Sequence, residues 1–143
     1  MTRRRAVDAG ATGTYETAVP VRDRDRGPGG RVTEVGHATH FDVARTGYMA
    51  DAFGFGPADR YVVLAALSID VRRDVPLGDA VTVGVEVPEL GTSSFPMRYE
   101  TRADGEVAAT GESTQVYVDT ETGRPRPLPD DLREAIETFE GRA

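Results

Sequence analysis

Residues Val21–Arg45 read VRDRDRGPGGRVTEVGHATHFDVAR, and the character of the chain changes twice within them. Two aspartates alternate with arginines, and the GPGG of residues 27–30 then indicates a loop, because glycine and proline interrupt regular structure. From about Glu34 the chain takes on the period of a helix that also carries both histidines. The apolar residues that return every three or four positions are Val35, Ala38, Phe41, Tyr48 and Ala52. This stretch therefore gathers two aspartates, a glycine loop and both histidines around the point where a predicted loop enters a predicted helix.

The rest of the chain predicts a sheet around this helix. TYETAVPVRD precedes it as a strand, and GFGP ends the helix near Phe53. Four strand-like runs follow, namely YVVLAALSIDVRR, AVTVGVEVPEL, SSFPMRYETR and EVAATGESTQVYVD, and ADG joins the last two as a hairpin. LPDDLREAIETFEG then predicts a short C-terminal helix. An apolar helix that covers one face of five antiparallel strands makes an α+β domain with the outline of a hotdog fold.

Length and composition limit the function classes. The chain has 143 residues, so we expect one domain at residues 14–143 after a flexible, polar N-terminus at residues 1–13. Without cysteine there is no thiolate nucleophile, and two histidines argue against a multi-His site, so we expect no metal and no cofactor. The basic N-terminus lacks an apolar segment behind it, and no long apolar run follows. We expect a soluble cytoplasmic protein that does not enter membranes.

The charge of the chain is strongly biased. Its 17 basic residues are all arginine, and 24 acidic residues leave a net charge of −7. Such a surface repels the phosphates of nucleic acid, so we expect no nucleic acid partner. The bias is similar to that of proteins from salt-loaded cytoplasms, which predicts a halophilic protein, although the absence of lysine is also typical of GC-rich coding.

The opening stretch resembles the acyl-CoA thioesterases of the 4-hydroxybenzoyl-CoA thioesterase class. These hotdog proteins carry Asp-x-Asp, then Gly-His-Val-Asn-Asn, a tyrosine three residues on, and Glu-x-Ala-Arg in the helix. The matching parts here are DRD at residues 23–25, GRVTE at 30–34, His37 and DVAR at 42–45, and the spacing from residue 30 to 45 has no gap. LSIDVRRDVPLGDAVTV, LGTSSFPMRYE and DTETGRPRPLPDDLREAI continue the likeness over residues 15–139.

The chain departs from the family pattern at three points. The loop between Asp25 and Gly30 is two residues longer, Arg31 replaces the histidine, and Thr33 and Glu34 replace the paired asparagines. These changes affect the chemistry more than the fold.

The resemblance implies a thioester site built from the loop and the helix start. Asp25 corresponds to the family's catalytic aspartate, the base or nucleophile, at the end of the first strand. The N–H groups at the helix start, around Thr33 and Glu34, are then oxyanion donors. We expect Asp23 to point to the opposite face by strand alternation, although the longer loop keeps Asp23 as a substitute.

Helix residues extend this predicted site. Asp42 is either the partner of Arg45 in a buried or half-buried ion pair or a second catalytic acid in the place of the family's glutamate. His37 stands where the family has tyrosine, so it is a candidate donor in catalysis or a structural histidine. We expect His40 to face elsewhere and assign it no role.

Other residues are candidates for binding the acyl-CoA substrate. They are the end of the loop, two serines at a strand start and two arginines at a strand end. Ordinary turn residues and solvated strand ends explain the presence of these side chains equally well. The residues are Gly30, Arg31, Val32, Ser93, Ser94, Arg72 and Arg73.

We expect an acyl-CoA thioesterase that forms a homodimer or homotetramer, because hotdog sheets pair at their edges. The main alternative is a non-catalytic hotdog protein that binds acyl-CoA, suggested by the altered loop. The hotdog hydratases fit less well. They carry a histidine about five residues after their aspartate, whereas His37 is twelve residues after Asp25.

The acidic surface predicts that folding and activity both need molar salt. Acids on the surface repel one another, and 1 M salt screens that repulsion beyond about 3 Å. The melting temperature and turnover should rise with potassium chloride. A melting temperature that is the same in low and high potassium chloride would contradict this expectation.

Overall fold

A computed structural model describes residues 15–54, 61–75 and 80–142. The strands are β1 (Tyr15–Pro20), β2 (Tyr61–Val71), β3 (Ala80–Glu86), β4 (Ser94–Ala103) and β5 (Glu106–Val118), and the helices are α1 (Glu34–Ala52) and α2 (Asp130–Phe139). These five antiparallel strands form one sheet in the order β1-β3-β4-β5-β2. The predicted hotdog architecture is confirmed. The expected flexible segment at residues 1–13, and parts of the turns at residues 54–57 and 74–79, lie outside the described residues.

The hairpin between β4 and β5 closes as the sequence predicts. Ala103 pairs with Glu106, so Asp104 and Gly105 form a two-residue turn. Both have positive φ, 52° and 79°, which is the geometry whose twist matches that of the flanking strands. β2 then pairs with the outer side of β5, and β1 and β2 are the two edge strands of the sheet.

α1 begins and ends close to the predicted bounds. The Thr33 side chain accepts a hydrogen bond from the Gly36 amide at 3.0 Å and so caps the helix N-terminus. Its buried face consists of Gly36, His37, His40, Phe41, Ala44 and Tyr48. The expectation that Val35 belongs to this face is wrong, since Val35 is 73% exposed. The buried face is thus less apolar than predicted, because two histidines lie on it.

Phe41 fixes the distance between α1 and the sheet. Its ring stacks on the ring of Tyr99 in β4, with centroids 4.5 Å apart and planes 11° from parallel. Beneath it lies Gly111 of β5, where an added Cβ would clash with the Phe41 ring and with the Ser68 carbonyl oxygen. Glycine at this point lets the helix approach the sheet closely.

α2 covers one end of this core. The rings of Tyr15, Tyr48 and Phe139 pack together, with centroids between 4.9 and 6.0 Å apart. The Glu140 carboxylate after α2 accepts hydrogen bonds from the Tyr48 hydroxyl at 2.5 Å and the Val87 amide at 2.9 Å. Burial and the nearby Glu140 raise the pKa of Tyr48 well above its usual range, so the hydroxyl remains a donor.

The helix-facing side of β2 is bare. Leu64, Leu67 and Val71 pair with buried residues of β5 and so point to the same side of the sheet as the core. They are nevertheless 45%, 36% and 42% exposed. Val35 and Val43 of α1 are also exposed apolar residues. We call the three side chains of β2, Leu64, Leu67 and Val71, the bare apolar face.

Candidate active site

Asp25 lies in a one-turn 3-10 helix, Asp23–Asp25, between β1 and α1. The expectation that both aspartates continue the first strand is therefore wrong, because β1 ends at Pro20. Asp25 is only 2% exposed, whereas Asp23 is exposed. The two side chains do diverge, but the turn causes this and not strand alternation.

Two donors hold the same oxygen of the Asp25 carboxylate. Oδ2 accepts from the Arg22 backbone N–H at 2.9 Å and lies 3.0 Å from Nε2 of His40. Neither interaction engages Oδ1. Burial raises the pKa of Asp25, but the Arg22 amide and His40 outweigh it, so the pKa lies below its usual value. Asp25 is consequently ionised at neutral pH.

The backbone of Asp25 docks onto the first turn of α1. Its carbonyl oxygen accepts from the Thr33 amide at 3.0 Å, and the Thr33 hydroxyl lies 3.5 Å away. A Cβ on Gly36 would clash with this carbonyl oxygen, so the close approach depends on glycine. Within α1 the amides of Glu34 and Val35 have no acceptor four residues earlier, which leaves the positive end of the helix dipole beside this turn.

The expectation that His40 faces elsewhere is wrong. It is fully buried and is the side chain that contacts Asp25. Residues three apart in a helix share a face, so His37 and His40 both point inward, with ring centroids 6.0 Å apart. The i, i+3 spacing of the histidines is the signal in the sequence that could have predicted this.

His37 is buried beside His40, but the hydrogen bond described for Asp25 comes from His40 and not from His37. It is 1% exposed, and its Nδ1 atom has no hydrogen-bond partner among the described residues. Burial and the neighbouring His40 lower the pKa of His37 to about 4. At neutral pH its ring is therefore uncharged.

Asp42 lies on the other side of α1. Residues 40 and 42 point about 160° apart around a helix, so Asp42 faces away from the Asp25 carboxylate. Its side chain is 65% exposed, and it binds Arg45 at 2.5 Å. The predicted ion pair is present, but only its arginine, 11% exposed, is buried to the expected degree.

Arg45 also begins a line of buried hydrogen bonds across the core. It donates to the Tyr99 hydroxyl at 3.0 Å, and that hydroxyl lies 2.6 Å from the Ser113 hydroxyl. Ser113 donates to the Gln115 side chain, which donates to the Phe95 carbonyl oxygen at 2.9 Å. We call this the Arg45–Gln115 network. Sequence reasoning missed its members on β4 and β5.

A groove of about 290 Å³ opens beside the start of α1. It brings together several predicted substrate and oxyanion residues with the end of β2. The lining residues are Gly27, Pro28, Arg31, Val32, Thr33, Glu34, Val71 and Asp74. Gly30 lies in the same loop, where its carbonyl oxygen accepts from Arg26 at 2.6 Å.

The arginines proposed for phosphate binding all have carboxylate partners. Arg31 lies 3.5 Å from Asp74, Arg72 lies 3.1 Å from Asp70, and Arg73 pairs with Glu106. These side chains are more than half exposed, so the pairs are weak and exchangeable.

Ser93 and Ser94 lie far from Asp25 in this chain. Their carbonyl oxygens accept from Tyr117 and Gly91 in the turn that starts β4. Ser94 begins β4, whereas Asp25 follows the end of β1. The end of β1 pairs with the start of β3, which in turn pairs with β4 near Arg102. Arg102 lies about 26 Å along β4 from Ser94. The structure does not bring these serines, or Asp42, together with Asp25.

A family model described as the thioesterase-like superfamily matches residues 19–136. The chain belongs to this superfamily. A thioesterase from Thermus thermophilus, solved with coenzyme A and Zn, is 36% identical, with a TM-score of 0.80 over 90% of this chain and 95% of that one. The DHNA-CoA thioesterase of Staphylococcus aureus is 22% identical, with a TM-score of 0.78 over 88% and 90% of the two chains. No match was found among curated protein sequences.

The chain is thus a thioester hydrolase of this superfamily. The zinc of the Thermus protein has no evident counterpart site here, because the described residues contain no group of three His, Asp or Glu side chains that could hold a metal ion. None of the described helices combines the length and hydrophobicity that crossing a membrane requires.

The buried His37 should make this thioesterase less stable at mildly acidic pH. In the unfolded chain its pKa is near 6.5, but in the folded protein it is about 4, so only the unfolded state gains a proton between these values. Lowering the pH from 7 to 5.5 should cost about 1 kcal/mol of unfolding free energy through His37. Urea unfolding of His37→Phe at both pH values should show a correspondingly smaller loss.

A buried residue that does not titrate provides the control. Thr101→Val removes a fully buried hydroxyl and should keep the full pH dependence of the wild type. The lowered pKa of Asp25 confines its own effect to more acidic solutions. If His37→Phe loses as much stability as the wild type over this range, His37 is not the group responsible.

Proposed function

We propose that the protein hydrolyses acyl-CoA thioesters with the Asp25 carboxylate as general base or nucleophile. The observation that carries this proposal is the ionised carboxylate of Asp25, held by one oxygen beside the N-terminus of α1. The coenzyme A bound by the 36% identical Thermus thioesterase supports a CoA thioester as the substrate. The sequence motif further supports the 4-hydroxybenzoyl-CoA class.

The chemistry follows from the two ends of this site. Asp25 either takes a proton from water, whose oxygen adds to the thioester carbonyl carbon, or adds through its own oxygen to form an anhydride that water then cleaves. The carbonyl oxygen becomes an oxyanion, for which the first-turn amides of Glu34 and Val35 are the donors. The C–S bond then breaks, and the CoA thiolate leaves and takes up a proton.

The groove beside α1 is the proposed path for coenzyme A. Arg31 lines it, and Arg72 and Arg73 follow β2 at its edge. Each would exchange its exposed carboxylate partner for a phosphate oxygen, with which arginine forms strong charge-assisted hydrogen bonds. This exchange provides local positive charge on a protein whose net charge is negative.

Asp42 is the second candidate for the reacting carboxylate. Its 65% exposure favours access by substrate, whereas Asp25 is nearly closed off in the single protomer. The bond to Arg45 is expected both for a catalytic Asp42 and for an Asp42 that is only the partner in a structural ion pair. A comparison of variants therefore separates these two roles.

Asp25→Asn should lower turnover of the best acyl-CoA by about 10²-fold or more while binding is largely retained. Asparagine keeps the size of the side chain and can still accept the Arg22 hydrogen bond, but it cannot act as base or nucleophile. Release of free CoA thiol gives kcat and KM for a panel of aromatic and aliphatic acyl-CoAs, and calorimetry gives binding.

Two matched variants locate the reacting carboxylate. Asp23→Asn, in the same turn but exposed, should stay within a few-fold of wild type. Asp42→Asn should lose stability with a modest loss of rate if it only pairs with Arg45. An active Asp25→Asn beside an inactive Asp42→Asn or Asp23→Asn would mean that Asp25 is the wrong residue.

We also propose that the protein works as a homodimer or homotetramer joined through β2. The free edge of this strand and the bare apolar face beside it expose both unpaired backbone groups and large apolar side chains. A second copy with the same surface would cover both, as the two-fold symmetry of most homodimers allows.

Leu67→Glu should weaken this assembly, because it places a charge on the surface that the second copy would bury. Thr114→Glu on the outward face of β5 is the control and should assemble like the wild type. Light scattering after size exclusion, at several protein concentrations, reports the mass. A monomeric wild type, or a Leu67→Glu variant with unchanged mass, would contradict the proposed interface.

A further inference from the structure

We infer that His40 is a positioning residue that sets the Asp25 carboxylate relative to the oxyanion donors of α1. This inference rests on the proposed role of Asp25. His40 acts through Asp25 and has no contact with the reacting atoms in the proposed arrangement.

The argument begins with where the two donors to Asp25 come from. The Arg22 amide belongs to the same short turn as Asp25, so a hydrogen bond from it moves with that turn. His40 belongs to α1, fifteen residues later in the chain. The hydrogen bond from His40 therefore connects the Asp25 carboxylate to α1. The first amides of this helix are the proposed donors to the oxyanion.

Both donors act on Oδ2, which decides how the carboxylate is oriented. With the Arg22 bond alone, the carboxylate could rotate about its Cβ–Cγ bond and still keep one donor. A second donor at 3.0 Å from a fully buried ring fixes the plane of the group. Oδ1, which takes part in neither bond, is then the oxygen left for the proposed reaction with water or the thioester.

The ring itself is suited to this task. An ionised carboxylate carries no proton, so the proton in the bond is on Nε2 of His40. Nδ1 of His40 is buried with no hydrogen-bond partner among the described residues, and an apolar side chain would avoid that cost. The polar ring at this position is explained by the bond that its other nitrogen makes.

The test compares variants that separate position from stability. His40→Phe keeps a ring but has no donor, and His40→Gln can donate from Nε2 at a similar distance from the backbone. Tyr48→Phe is the matched control, because it removes another buried hydrogen bond from α1 to a carboxylate, that of Glu140, away from Asp25. Each is measured for kcat, KM, melting temperature and the pH dependence of kcat/KM.

We expect His40→Phe to lower kcat by about 10- to 100-fold with little change in KM, because the carboxylate is misplaced and substrate binding is not. His40→Gln should restore most of the rate. Tyr48→Phe should lose stability with kcat unchanged.

The pH dependence of kcat/KM should change if His40 acts on the Asp25 carboxylate. It should not change if His40 has only a structural role. The charged and titratable groups around Asp25 are Arg24 in its own turn and His40 on α1. His37 lies beside His40, and the charge of Glu34 acts on His37. Removing His40 leaves the Arg22 amide and Arg24, so the carboxyl pKa rises. The acidic limb of kcat/KM should move to higher pH in His40→Phe and stay in place in Tyr48→Phe.

A folded His40→Phe variant with kcat within threefold of wild type overturns the inference, as does an acidic limb that does not move. If His40→Phe fails to fold, His40→Met replaces it, since methionine also lacks a donor and adapts its shape to the site. The two proposals fail separately. An active Asp25→Asn refutes the role of Asp25, whereas an inactive Asp25→Asn beside a fully active His40→Phe refutes only the role of His40.

Discussion

A carboxylate that leaves water must find donors in the protein, and the entry to α1 is arranged around that requirement. Asp25 meets it with one backbone amide and one histidine, and its own carbonyl oxygen is taken up by Thr33. The turn, the helix cap and the buried histidine therefore depend on one another. Gly36 belongs to the same set, because any side chain there would push the helix off the turn.

The fold could be predicted because it depends on patterns that repeat over many residues. α1 ends one residue before the predicted bound, and the Asp104–Gly105 turn follows from its two residue types. The site depends on single contacts, which a sequence pattern does not specify. Two aspartates after a strand suggest alternation, but β1 stops at Pro20 and the chain coils into a helical turn that no propensity of DRD predicts.

The two histidines show what local spacing predicts and what depends on tertiary contacts. Spacing alone places His37 and His40 on one face of α1, but it does not determine which of them contacts the turn that contains Asp25. The family pattern favours His37, whereas the described contacts give the hydrogen bond to His40. Val35 shows the same limit of local pattern, since it fits the apolar period of α1 but is 73% exposed.

The Arg45–Gln115 network has a consequence for how the site keeps its shape. It leaves α1 at Arg45, about 140° around the helix from His40, and reaches β4 and β5 through directional hydrogen bonds that depend on one another. Apolar packing would tolerate a small roll of the helix about its own axis, since hydrophobic contacts have no direction. The network resists such a roll, because it would break the hydrogen bond between Arg45 and the buried Tyr99 hydroxyl. It thus sets the rotational angle of α1, and through that angle the direction from which His40 meets Asp25.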